Sequence, residues 1–278
     1  MSSKVPPIIL NNGVAMPQLG FGVWQVPDDE AQSSVATALE AGYRSIDTAA
    51  IYGNEEGVGR AVTTSGIPRK DLFVTTKLWN ADQGYDSTLR AIDVSLEKLG
   101  LEYVDLFLIH WPLPSRGKFV ETYKALEKIN ADGRATAIGV SNFLPEHLET
   151  LIAQTALIPA VNQIELHPHL QQHAARDYHA QQGIATEAWS PLGQGRGLLE
   201  VPAIIAIAQK HNRTPAQIVL RWHIQLGNIV IPKSVTPARI RENIEVFDFS
   251  LDTEDMAAIS ALNEDRRLGP DPATFDMG

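Results

Sequence analysis

Short apolar runs alternate with amphipathic stretches eight times along this chain, and no other feature of the sequence restricts its fold so strongly. The runs lie at 18–24 (QLGFGVW), 44–48 (RSIDT), 72–78 (LFVTTKL), 104–110 (VDLFLIH), 135–141 (ATAIGVS), 160–166 (AVNQIEL), 184–190 (IATEAWS) and 229–234 (IVIPKS). Helical patterns fill the intervals near 29–41, 55–65, 86–99, 119–131, 145–155, 171–182, 214–226 and 236–246, several of them opened by Asp, Asn or Pro. Strand followed by helix, eight times over, is the pattern of an α/β (β/α)8 TIM barrel, whose usual size is about 250 residues. The competing arrangement, an open doubly wound sheet, normally carries a G-x-G-x-x-G turn with an acidic residue about 20 positions on. Here the G-x-G spellings GFGVW from Gly20 and GQGRG from Gly193 do not complete the pattern.

Additions to the repeat are also legible. Pro7, Pro17 and the Asn11-Asn12-Gly13 run suggest a small N-terminal β-hairpin that closes the barrel floor. Segments 198–211 and 252–262 read as two extra helices. No linker, low-complexity block or charge run marks a boundary, so residues 1–278 are expected to form a single domain.

Composition then limits the chemistry. The chain has 278 residues, 44% hydrophobic and 20% charged, with a formal net charge of −10. That acidic balance disfavours nucleic acid or an anionic membrane as partner, since both need a dense basic surface. The absence of cysteine excludes disulfides, thiolate nucleophiles and cysteine-based zinc sites together. Neither a signal-peptide core nor a membrane-length apolar run is present, so a soluble, cytoplasmic protein is expected, and it is taken to be a monomer. The histidines of HPHLQQH (His167, His169 and His173) sit close together, but no carboxylate completes a ligand set with convincing spacing, and no metal is expected.

In a barrel the C-terminal ends of the strands build the active site, so the residues there are read as one set. Strand two delivers Asp47 and then Tyr52, strand three Lys77 and strand four His110. Strand five ends in Ser141-Asn142, strand six carries Gln163, strand seven ends at Trp189, and strand eight at Lys233-Ser234. Each residue alone has an ordinary structural reading; seven polar or aromatic strand ends on one rim are harder to assign to packing. Carbonyl reduction suits the first four. Hydride addition puts negative charge on oxygen, and a proton donor there accelerates the step by about 10²- to 10⁴-fold. Tyrosine, with a pKa near 10, needs a cation beside its phenolate, and Lys77 supplies one. Asp47 would keep that lysine charged and aimed, while His110 would hydrogen-bond the carbonyl oxygen. Trp24, Trp79 and Trp111 follow strands one, three and four and are expected to wall a substrate pocket.

The runs GYRSIDTAAIYGNEEGVGRAV, VTTKLW, DLFLIHWP, IGVSNF, VNQIELHP and IPKSVTPARIRENIEVFDF resemble, in order and spacing, the successive motifs of the aldo-keto reductases. The resemblance spans nearly the whole chain and implies an NADPH-dependent (β/α)8 reductase whose catalytic tetrad is Asp47, Tyr52, Lys77 and His110. It further implies that Ser141, Asn142 and Gln163 bind the nicotinamide carboxamide and that Trp189, in a position where many members carry tyrosine, stacks on the ring. Ser190, Pro191, Leu192, Gly193 and Gln194 resemble the loop under the pyrophosphate. Lys233, Ser234, Val235 and Arg239 fall where the adenosine 2′-phosphate is bound, with Glu242 and Asn243 near the adenine, which favours NADPH over NADH. Together with the spellings PLGQG and VFDFSLD, the motifs are similar to those of the bacterial 2,5-diketo-D-gluconate reductases. The implied substrates are aldehydes, dicarbonyls or keto sugars, and the short tail EDRRLGPDPATFDMG suggests an open mouth. Two alternatives stand beside this: a Schiff-base aldolase using Lys77 or Lys233, and a non-catalytic NADPH-binding sensor or structural subunit.

Overall fold

A computed structural model of the chain describes residues 5–277. An antiparallel hairpin, β1 (Pro7–Ile9) and β2 (Ala15–Pro17), precedes eight parallel strands: β3 (Phe21–Gly22), β4 (Ser45–Asp47), β5 (Phe73–Leu78), β6 (Val104–Ile109), β7 (Ala135–Ser141), β8 (Val161–Glu165), β9 (Ala185–Trp189) and β10 (Ile229–Val230). Each parallel strand pairs with the next in sequence order, from β3 through β10. The two edges meet as well: Leu19 bridges Val230 in parallel, the Gly20 amide donates to the Val230 carbonyl at 2.8 Å, and the Val230 amide donates to Gln18 at 3.0 Å. Closure removes the exposed strand edges that an open sheet would leave.

The helices between and after the strands are α1 (Asp28–Ala41), α2 (Glu55–Thr64), α3 (Tyr85–Leu99), α4 (Phe119–Ala131), α5 (Pro145–Gln154), α6 (His173–Gln182), α7 (Pro202–His211), α8 (Pro215–Gln225), α9 (Pro237–Asn243) and α10 (Thr253–Ser260). Proline opens α5, α7, α8 and α9, where its missing N–H costs no intrahelical bond. Gly42, Gly100 and Gly183 end α1, α3 and α6 in the left-handed conformation that favours glycine. The extra segment at 198–211 divides into a short 3₁₀ turn, Leu198–Glu200, and α7, because Pro202 starts a new helix.

The first and last strands are shorter than the sequence suggests. Pro232 has no amide to continue the ladder beyond β10, so Lys233 and Ser234 lie in the loop leading to α9.

The hairpin forms the floor. Leu10 and Met16, both buried, share a core with Phe73, Leu106, Leu108, Ala137, Val161 and Ile229 at the lower ends of the strands. Burying a side chain such as Met16 contributes about 1.5–3 kcal/mol. Because side chains alternate along a strand, these positions also fix which later residues face inward. Starting from Phe73, Leu106, Ala137 and Val161, steps of two reach Lys77, His110, Ser141 and Gln163. The same two-residue period carries β9 from Ala185 to Glu187 and Trp189. An apolar floor thus continues upward into a polar mouth.

Candidate active site

Lys77 is wholly buried at the centre of that mouth. Its ammonium donates to Asp47 Oδ1 at 2.6 Å and to the Thr48 carbonyl at 2.9 Å, and it reaches the Tyr52 hydroxyl at 3.5 Å. Asp47, also buried, receives its second hydrogen bond at Oδ2 from Gln163 Nε2, at 2.8 Å. Tyr52 ends the 3₁₀ turn Ala50–Tyr52 that follows β4, which lifts its ring over the lysine with 5.0 Å between Nζ and the ring centre. His110 meets Tyr52 edge to face at 5.7 Å and Trp79 at 5.4 Å. The four residues read from strands two, three and four therefore form one contact group.

Their electrostatics follow from burial and from one another. Burial lowers the proton affinity of Lys77, but Asp47 and Tyr52 outweigh it and the lysine's pKa is raised. Burial raises the phenol of Tyr52; Lys77 acts to lower it and Asp47 to raise it, and the net direction is upward. The ammonium thus works on the phenol in the expected sense without overcoming burial. Burial first, and the Lys77 charge second, hold His110 well below the ordinary imidazole value, so at neutral pH it is an uncharged hydrogen-bond partner.

The residues ascribed to a nicotinamide surround the same centre. Ser141 Oγ donates to the Gln163 carbonyl at 2.8 Å. Asn142, held at a left-handed φ of 64°, donates from Nδ2 to the His110 carbonyl at 3.0 Å and to Ser141 Oγ at 3.1 Å. Its Oδ1 accepts the indole N–H of Trp189 at 2.8 Å, which fixes the plane of that half-buried ring. Ser190 is also left-handed, with φ 51°, and turns the chain into the Pro191–Gly195 loop, where Gln194 Nε2 donates to Ser190 Oγ at 2.9 Å. Farther out, Lys233, Val235 and Arg239 are exposed, and neither cation forms an ion pair among the described residues. Ser234 Oγ accepts the Thr236 amide at 3.1 Å. Glu242 accepts the Thr214 hydroxyl at 2.6 Å, which ties it to the start of α8, and Asn243 is buried.

The three rim tryptophans differ. Trp79 faces His110, and Trp111 is buried with its ring 4.4 Å from Phe275. Trp24 is 43% exposed.

The tail corrects the expectation of an open mouth. It crosses the rim and is tied down along its length: Glu165 accepts the amides of Leu268 at 2.6 Å and Gly269 at 2.9 Å, Asp276 pairs with Arg116, and Asn80 donates to the Met277 carbonyl. Glycine is needed at 269, since a Cβ there would lie 2.6 Å from the indole of Trp189. The histidine run serves this tail. His167 Nε2 lies 2.9 Å from Glu165, and the His169 carbonyl accepts the amides of Glu264 and Arg266.

Two carboxylates of the mouth escaped the sequence reading. Glu165 and Glu187 are both fully buried. The available signal was alternation: Glu187 lies two residues before Trp189, and Glu165 two after Gln163, on the inward faces of strands with no solvent side.

Comparison with known proteins decides the family. The model of the Aldo/keto reductase family matches residues 16–264. The chain belongs to that family. It is 59% identical over 272 residues to an aldo-keto reductase of Mycolicibacterium smegmatis, covering 98% of each sequence. It is also 54% identical to methylglyoxal reductase DkgA of Yersinia pestis, with 97% of each covered. Among solved structures, a Gox0644 variant in complex with NADPH is similar at TM-score 0.94 and 51% identity, covering 98% of this chain and 99% of that one. These aldo-keto reductases share the barrel over essentially its full length.

Proposed function

We propose that the chain is an NADPH-dependent carbonyl reductase acting on aldehydes, dicarbonyls or keto sugars of the 2,5-diketo-D-gluconate kind, with Tyr52 as the proton donor. The observation that carries this reading is the fully buried Lys77, anchored to Asp47 and directed at the Tyr52 hydroxyl. Such a group has one evident use, to support a phenol that gives up its proton beside a carbonyl. Similarity to the methylglyoxal reductase supports small dicarbonyls as substrates, and similarity to the NADPH complex supports the cofactor.

The residues present suit that cofactor. Trp189 offers a flat, oriented indole at the mouth, Ser141, Asn142 and Gln163 carry amide and hydroxyl groups beside it, and Lys233 and Arg239 are cations without acidic partners among the described residues. When bound, NADPH supplies the hydride that reaches the carbonyl carbon. Neutral His110 donates a hydrogen bond to the carbonyl oxygen and sets its direction. Tyr52 O–H gives its proton to that oxygen as negative charge grows there, and the phenolate left behind rests against Lys77 until solvent returns a proton. The Trp189 indole would hold one face of a nicotinamide and leave the other to the substrate.

A Schiff-base aldolase needs a neutral amine held beside its substrate, whereas Lys77 holds its proton with raised affinity and Lys233 is exposed in the loop before α9. A non-catalytic subunit would have no use for the complete tetrad. We read residues 1–278 as one barrel domain working as a cytoplasmic monomer; light scattering tests the monomer. For the activity, the protein-dependent fall in NADPH absorbance on adding methylglyoxal, diketogluconate or an aromatic aldehyde is measured. Tyr52→Phe should lower turnover by about 10²-fold or more while NADPH binding persists. Wild-type turnover in that variant would refute Tyr52 as the acid.

A further inference from the structure

Below Trp189 on the inward face of β9, Glu187 has no part in the tetrad as described, yet it is connected to it. The amide nitrogen of Gln163 has two hydrogens. One goes to Asp47 Oδ2 at 2.8 Å and the other to Glu187 Oε2 at 2.9 Å. A planar amide therefore sets two carboxyl groups at a fixed separation, and the Asp47 side of that link continues to Lys77 and Tyr52. We propose that Glu187 is a positioning residue for the reduction, which holds Asp47 through the shared nitrogen of Gln163 and does so as a neutral acid. The proposal rests on the reductase reading above and adds to it a residue and a pH dependence.

The groups around Glu187 decide its charge. Facing it are Asp47 from β4, Tyr52 from the turn after β4, Lys77 from β5 and Gln163 from β8, while its neighbour on β10 is the apolar Ile229. Helix α6 meets the other face of β9, where His179 bonds Thr186. The single cation, Lys77, is already engaged by Asp47 Oδ1 and the Thr48 carbonyl. Glu187 is fully buried, and its Oε1 has no hydrogen-bond partner. A second carboxylate in that position would have neither counter-ion nor solvation, so the proton stays on. Burial, aided by the Asp47 charge, pushes its pKa up to about 8. Above that pH an ionised Glu187 strengthens the hold of Lys77 and Tyr52 on their protons, which makes Tyr52 a weaker acid and slows reduction.

The test uses the full chain with NADPH and methylglyoxal. Infrared difference spectra across pH isolate the C=O stretch of a protonated carboxyl group. Wild type should show it at neutral pH and lose it as pH rises through about 8, and Glu187→Gln should lack it. Turnover by the wild type should fall over the same interval, and Glu187→Gln should displace that alkaline limb upward by about one pH unit or more. Glu187→Leu, which leaves a Gln163 hydrogen without an acceptor, should lower kcat about tenfold with little change in KM, a loss typical of one buried hydrogen bond. A wild type without the protonated band, or superimposable pH profiles for wild type and Glu187→Gln, would overturn the proposal. Should Glu187→Gln fail to fold, Glu187→Leu serves as the variant that must lack the band. Should Tyr52→Phe retain full turnover, the reductase reading fails first; if that variant is inactive and the Glu187 results are flat, only the role of Glu187 falls.

Discussion

Replacing Lys77 by Met and Asp47 by Leu, singly and together, tests whether the centre of the mouth is an ion pair that the fold tolerates for chemistry rather than for stability. At 2.6 Å the attraction between unit charges is about 6 kcal/mol at an effective dielectric constant near 20. Desolvating each fully buried ion costs several kcal/mol, so the pair comes out close to neutral. Lys77→Met leaves Asp47 charged, buried and held only by Gln163, and should cost about 3–5 kcal/mol. Asp47→Leu strands the ammonium on the Thr48 carbonyl and should cost a similar amount. The double variant removes both charges and leaves one unpaired group each on Gln163 and Thr48, for about 2–6 kcal/mol in all. Urea unfolding at neutral pH gives the three values, and the cycle should return a coupling of about 4 kcal/mol. All three variants should lose reductase turnover. A double variant as unstable as the sum of the singles would show that the two charges do not depend on each other and would refute the reasoning.

Other predictions follow from the same geometry. Lys233→Ala and Arg239→Ala should each weaken NADPH about tenfold while leaving NADH unchanged, and the preference should shrink with salt because both cations are exposed; equal affinity for the two cofactors at low salt would reduce these residues to surface charges. Glu187 binds its proton more tightly in the folded state than in the unfolded chain, so between about pH 4.3 and its folded value near 8 it should subtract stability at about 1.4 kcal/mol per pH unit. Denaturant titrations should therefore find Glu187→Gln more stable than wild type at pH 7, and a less stable variant would contradict the sign. Glu165 has a lowered pKa: burial opposes ionisation, but His167 and the Gly269 and Leu268 amides outweigh it. Its stabilisation is present above the unfolded carboxylate pKa and disappears as pH falls through the depressed folded value. Glu165→Gln should speed hydrogen exchange at residues 268–269, and unchanged exchange there would place the tail's anchor elsewhere.

Much of this was readable from the chain because parallel strands buried on both faces appear as apolar runs, and a polar residue interrupting one is conspicuous. Asp47, Lys77 and His110 were visible for that reason, as was Tyr52 just beyond. Glu187 and Glu165 interrupt their runs equally, but Trp189 and Gln163 beside them already carried an explanation. The tail was less legible. Glu165 meets Leu268 and Gly269 across more than a hundred residues, and no local pattern encodes a contact of that span. The shortening of the last strand, in contrast, follows from Pro232 alone.

Charge accounting explains why so many titratable groups can share one buried mouth. Near neutral pH, Asp47 and Lys77 form an ion pair, and Tyr52 keeps its proton because burial raises its pKa. His110 stays uncharged, held low by burial and by Lys77, and Glu187 keeps its proton. The sum over these five linked groups is zero, while Glu165, ionised on the neighbouring strand, is answered by the Leu268 and Gly269 amides and by Arg267 at 3.9 Å. When Tyr52 gives up its proton, the new phenolate makes the sum −1, and the nearest cation is 3.5 Å away. An already ionised Glu187 would make that −2 around a single ammonium. Keeping Glu187 protonated therefore lowers the cost of the one moment at which the site must carry an unbalanced charge, and that moment is the proton transfer itself.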